Sequence, residues 1–184
     1  MDLGTGDGRF VLAHAAAHPD RLVLGIDAQH AAMADASRRA ARPPGRGGLA
    51  NARFVVSSLE ALPMELHGVA DLVTVHFPWA SLRAAAAGHE PRLTARIAAL
   101  LRPGGSLELL LADAERDGAR PVDPEAVVSA YAELGMSLIH ARPASVADAI
   151  AAHSSWGKRL LRNGRPGRSA WIIRLERPRP AVGL

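Results

Sequence analysis

Short apolar runs recur along the chain and are separated by alanine-rich stretches of different periodicity. RLVLGI (21–26), ARFVV (52–56), DLVTV (71–75), SLELLLA (106–112), MSLIHA (136–141) and SAWIIRL (169–175) have the length and aliphatic content of buried strands. Residues 9–18, 29–41, 95–101, 124–134 and 146–161 predict helices, with Pro124 in a first turn. RPPGRGGL (42–49) and the RPGG before residue 106 predict loops. A brief extended stretch at Asp2 and Leu3 leads into a glycine-rich loop. Strands alternating with helices predict right-handed βαβ units, a mainly parallel sheet and an α/β fold. One domain over residues 1–184 is expected, its last strand antiparallel. Ligands in such folds bind where the carboxyl ends of the strands open into loops.

Composition narrows the class. The chain is 48% hydrophobic and 22% charged, as a globular protein is. It has no cysteine, no secretory signal and no apolar run near the roughly 20 residues that span a bilayer. A cytoplasmic enzyme or binding domain is expected, without a membrane partner. The net charge of +4 is unevenly spread: residues 153–180 hold eight basic side chains against Glu176 alone, a segment of +7 beside a remainder of −3. Such a block suits a polyanion such as nucleic acid; a solvated basic tail is the plainer reading. Arginine makes up 21 of the 22 basic residues, a bias that gene base composition also produces.

DLGTGDG (2–8) carries glycines at 4, 6 and 8. A dinucleotide fingerprint needs its third glycine where Arg9 stands, and a phosphate-binding Walker loop needs Gly-Lys-Ser/Thr. The remaining common use is S-adenosylmethionine (SAM), with Asp2 accepting from its ammonium and Gly4, Thr5 and Gly6 admitting the ligand. Asp27, ending a strand, is placed to accept from ribose hydroxyls. Ser58, Leu59 and Glu60 fall where an adenine ring would lie, and His76 ends the next strand at the same edge. Glu60 is equally an ordinary helix-start carboxylate. His14 and His18 share a helix face without a third ligand, so no metal is expected. Trp79 stands directly behind Pro78 in FPWASL (77–82), at the working edge of the sheet. A tryptophan there is more often packing; Trp156, beside Lys158 and Arg159, is the feature that favours a site.

In this order, DLGTGDGR, GID, GGLAN, LPMEL, FPW and SWGKRL resemble the 16S ribosomal RNA adenine-N1 methyltransferases of the Kam and Npm aminoglycoside-resistance group. The resemblance covers nearly the whole chain. It implies a class I SAM-dependent methyltransferase fold, Rossmann-like, with a seven-stranded-type sheet. It also implies methylation of N1 of adenine 1408 in the 30S subunit, S-adenosylhomocysteine (SAH) as product, and resistance to kanamycin- and apramycin-type drugs. Asp2, Gly4, Asp27 and Ser58 to Glu60 match cofactor contacts. Trp79 and Trp156 match the pair that holds the flipped adenine, with Ser154 and Ser81 beside it. Arg159, Arg165 and Arg168, with neighbouring Lys158 and Arg162, match the docking surface, and Arg38, Arg39, Arg42 and Arg46 occupy a second RNA-facing segment. The docking segments are then 38–48 and 153–180, on a monomer with no DNA partner.

N1 of adenine carries its own lone pair, so the reaction needs positioning rather than a general base. Two indoles meeting across a gap one nucleobase wide would replace the stacking lost when the base leaves its helix. Three departures accompany the resemblance. The family has a hairpin and full first strand where Met1 here abuts Asp2, so a truncated first strand is expected. Ala80 stands where the family often has glycine, and LLRNGRPGR is longer than its counterpart. The alternatives are a methyltransferase for another RNA site or a small molecule, and a non-catalytic RNA-binding protein that keeps the SAM fold.

Overall fold

In a computed structural model of the protein, which describes residues 1–113, 121–162 and 169–180, seven strands form one sheet. In chain order the elements are β1 (Asp2–Leu3), α1 (Arg9–Ala17), β2 (Val23–Asp27), α2 (His30–Ala40), β3 (Ala52–Val56), β4 (Ala70–His76) and α3 (Ala80–Ala86). There follow α4 (Pro91–Ala99), β5 (Leu101–Ala112), α5 (Pro124–Ala132), β6 (Ser137–Pro143), α6 (Val146–Ala151), α7 (Ser155–Arg162) and β7 (Ala170–Glu176). The strand order is β3-β2-β1-β4-β5-β7-β6. All pairs are parallel except those of β7, which runs antiparallel to both β5 and β6. The doubly wound α/β fold and the antiparallel last strand are as the sequence pattern requires, and β1 is two residues long.

Period-two alternation assigns each strand residue to a face. Leu107, Leu109 and Leu111 of β5, with Ile173 and Leu175 of β7, are fully buried in the large core that includes Ile97 and Tyr131. Leu110, Ala112 and Ile172 point the other way, into a smaller cluster with Phe77, Ala149 and Leu160. A third cluster, Val11, Ala15, Val23, Ala36 and Ala52, seats α1 and α2 over β2 and β3.

Three local expectations change. The RPGG segment belongs to β5 rather than to a loop: Gly104 takes φ +78, and a Cβ on Gly105 would strike the carbonyl oxygen of Ala70, so glycine lets the strand continue past an irregular pairing. Residues 146–161 are two helices rather than one. Ala152–Ser154 break the run, His153 at φ +51 turns the chain, and the Ser154 hydroxyl accepts from Gly157 N–H at 2.9 Å. A short helix, α3, follows Trp79, where the sequence pattern predicted none.

Candidate active site

The glycine loop leaves β1 and is pinned at once to β2: the N–H groups of Gly4 and Thr5 both donate to Ile26 O, at 2.8 and 3.1 Å. Gly4 and Gly6 take φ +69 and +55, a region that side-chain-bearing residues enter at a cost. Asp27 holds the loop from the opposite side. Its Oδ2 accepts from Gly6 N–H and its Oδ1 from Gln29 N–H, both at 2.8 Å. Each carboxylate oxygen keeps a second lone pair for a hydroxyl donor. Asp2 is 4% exposed, and its Oδ1 accepts from the Thr74 hydroxyl at 2.6 Å.

A cleft of about 520 Å³ opens above these groups. It gathers every residue expected at cofactor and target base: Asp2, Gly4, Thr5, Gly6, Asp27, Ser58, Leu59, Glu60 and His76, together with Trp79, Ser81, Ser154 and Trp156. Their environments differ from expectation in two places. Ser81, expected beside the target base, turns its hydroxyl to Glu60. That carboxyl is held below its usual range by its own backbone N–H first, then by the Ser58 and Ser81 hydroxyls. Ser154 uses its oxygen to cap α7, which fixes the turn before Trp156.

The indoles themselves meet edge to face. The ring centroids of Trp79 and Trp156 lie 5.1 Å apart at an interplanar angle of 68°, and Phe77 meets Trp156 at 5.5 Å with the same angle. A base sandwiched between parallel rings needs about 7 Å, twice the ~3.4 Å stacking rise. The expected base-wide gap is therefore closed, and the two walls occupy it themselves. Opening it is within reach, because Trp79 is 46% exposed.

Sequence reasoning missed Phe10, Gln29 and His153, which also line the cleft. The signal for His153 was its place before the capping Ser154, since histidine is among the residues that tolerate a left-handed turn. The arginines expected to dock RNA divide. Arg38, which pairs with Asp35, lines a second concavity with Arg39, Arg42, Arg9 and Asp7, and Arg46 is exposed on a 3-10 turn. Arg159 is exposed and Lys158 half-buried on α7. The side chain of Arg162, and Arg165 and Arg168 altogether, lie outside the described residues.

These residues fit SAM by their own geometry. A Cβ on Gly6 would meet nothing within 4 Å, so the loop leaves room for a ligand to approach the backbone. Buried Asp2 suits an ammonium and Asp27 a diol, while the hydroxyl of Thr5 is buried without a partner. The volume is in the ordinary range for a molecule of that size. Among the described residues, no group of three or more His, Cys, Asp or Glu is disposed to hold a metal.

Comparison with known proteins agrees. A curated 16S rRNA (adenine(1408)-N(1))-methyltransferase of Streptoalloteichus tenebrarius is 33% identical over 174 residues, covering 87% of this chain and 79% of its own length. A tryptophan-to-alanine mutant of such an enzyme from Catenulisporales acidiphilia, solved with cosubstrate SAM, superposes with a TM-score of 0.80 at 32% identity, covering 100% of this chain and 87% of that one. The 16S rRNA methyltransferase KamB gives 0.84 at 30% identity, covering 96% and 86%. The family model described as NpmA: 16S rRNA (adenine(1408)-N(1))-methyltransferase matches residues 1–174, a span that holds the glycine loop and both cleft tryptophans. The chain belongs to that family of methyltransferases.

Proposed function

We propose that the protein transfers a methyl group from SAM to N1 of adenine 1408 of 16S rRNA in the 30S subunit, acts in the cytoplasm, and so confers aminoglycoside resistance on the cell. The observation that carries this reading is one cleft with a glycine cradle and acidic acceptors at one end and two indoles at the other. SAM supplies an electrophilic methyl, which the N1 lone pair takes without prior loss of a proton. The work of this chain is then positional. Asp2 and Asp27 fix the two ends of the cosubstrate, and Trp79 and Trp156 part to admit the base and press on its faces. Stacking of this kind is worth about 1–3 kcal/mol per base, enough to offset much of the cost of extrusion. The methylated base is cationic, and an indole face accepts that charge through its quadrupole.

The arginines of segments 38–48 and 153–180 contact phosphates and set the register of docking, which supplies affinity rather than base reading. Primer extension on 16S rRNA from cells that express the protein tests the reaction, with a stop expected one nucleotide before position 1408. Purified 30S subunits should be methylated and short decoding-site hairpins hardly at all. Equal rates on both would refute docking on the assembled particle.

A further inference from the structure

One ionisable pair in the cleft wall takes no part in the methyl transfer itself. Paired strand residues share a face, so Gly25, Asp2, Thr74, Glu108, Arg174 and His140 form one row across six strands. The row crosses the sheet between the cluster under α1 and α2 and the cluster that holds α6 and α7. His76, two residues after Thr74, points from the same face. Its Nε2 lies 3.1 Å from Glu108 Oε1, with the two side chains 7% and 25% exposed. The Phe10 ring meets the imidazole edge-on at 4.8 Å. The imidazole lines the cleft, and its Nδ1 is buried with no partner.

Burial of such a pair costs desolvation, which its mutual attraction offsets only where the remaining polar atoms also find partners. An Nε2–H donated to Glu108 leaves Nδ1 as a bare lone pair and the ring neutral. A second proton would place a positive charge in the wall of a cleft that receives a sulfonium. SAM and SAH differ by the methyl and by that one positive charge. We propose that His76, oriented by Glu108, lets the cleft tell cosubstrate from product: the neutral ring admits cationic SAM, and the protonated ring disfavours it while leaving SAH little affected. The proposal rests on SAM being the cosubstrate.

Other charges face the same region. Glu108 belongs to β5, with Arg174 of β7 and His140 of β6 beyond it. Asp2 stands on β1, and His153 lines the cleft from the α6–α7 turn. On α1, His14 stacks against Phe10 at 5.4 Å, and the Met1 ammonium, which donates to Leu72 O, lies near it. Glu108 stays anionic through the range of interest because the His76 bond holds it below the usual carboxylate range. Burial, and His18 next to it, lower His14, which makes it the neighbouring imidazole to control for with its own variant.

Calorimetric affinities for SAM and SAH at about pH 8 and about pH 5.5, which bracket histidine titration, decide the matter for wild type, His76→Gln and His14→Gln. The wild-type ratio of SAM to SAH affinity should fall by about tenfold on acidification, the scale of one unit charge acting across a cleft. His76→Gln should show a flat ratio, and His14→Gln should behave as wild type. In wild type alone, titrations near neutrality in buffers of different ionisation enthalpy should report proton release on binding SAM and none on binding SAH, which needs no variant to fold. A pH-independent wild-type ratio, an unchanged fall in His76→Gln, or its loss in His14→Gln would overturn the proposal. Failure of the wild type to bind either ligand would instead overturn the cofactor reading.

Discussion

Around Trp79 the backbone is bent at two residues that carry side chains. Phe77 has φ +50 and Ala80 φ +48, so the tryptophan is presented by a turn in left-handed territory at both shoulders. Such a conformation costs of order 1 kcal/mol for a residue with a Cβ, and a methyl group can make no polar interaction to offset it at Ala80. Ala80→Gly is expected to raise stability by about 1 kcal/mol in urea denaturation without altering SAM affinity. The two indoles separate in the same terms. Trp79→Ala should abolish methylation with little change in Tm, because the ring is half in solvent. Trp156→Ala should abolish methylation and also lower stability by up to about 3 kcal/mol, because that ring packs on the cluster of Phe77 and Leu160. Both should keep SAM affinity nearly intact; a variant that no longer binds the cofactor would make the tryptophans scaffold. At this scale the sequence was informative about residue type. Gly-rich loop, Asp27 and the tryptophan behind a proline all reach the cleft. It could not show that the indoles touch, or that Ser81 serves Glu60 and Ser154 a helix end, since rotamer and partner depend on neighbours distant in the chain.

The elements explain why the second tryptophan is well placed. The Ser145 hydroxyl accepts from Asp148 N–H and the Asp148 carboxylate accepts from Ser145 N–H, a reciprocal cap at the start of α6. The same carboxylate takes both terminal nitrogens of Arg142 on β6, at 2.7 and 2.8 Å, which ties helix to strand. Ser145→Ala should cost about 1 kcal/mol by denaturation. The Arg142 guanidinium, and then the Ser145 groups, hold Asp148 well below the usual carboxylate range, so the fold favours its charged form. The stability this gives is present above the ordinary carboxyl pKa near 4 and is lost as the pH falls below it. Acid unfolding of Asp148→Asn should therefore lack that part of the pH dependence. Periodicity revealed the strands and most helices, yet merged α6 with α7 because Ala and Ile continue the apolar pattern up to the break. It also gave RPGG to a loop, since no pattern tells a glycine in a bulged strand from one in a turn.

For the molecule as a whole, the sign and place of charge matter more than the total. Arg39 and Arg42 lie on the α1–α2 flank, while Arg159 lies on α7 beside the tryptophan pair. Replacing Arg38, Arg39, Arg42 and Arg46 by Gln should weaken binding to 30S subunits at physiological salt. It should also flatten the plot of log affinity against log salt by about 0.7 for each phosphate no longer neutralised. SAM affinity should not change, and an unchanged salt slope would remove this flank from the docking surface.

The place of β7 has a consequence for how the enzyme is made. Among the described residues β6 hydrogen-bonds to no strand but β7, and β7 lies between β5 and β6 although it is translated after both. While residues 170–176 are still inside the exit tunnel, five strands are able to pair and the sixth has no neighbour. Ile172, part of the bed on which Trp156 rests, does not yet exist outside the ribosome. The packing beneath Trp156 is thus complete only once the last strand stands between two that were translated before it. A chain stopped short of Ala170 keeps Trp79 and Trp156 but lacks the strand on which the second indole packs.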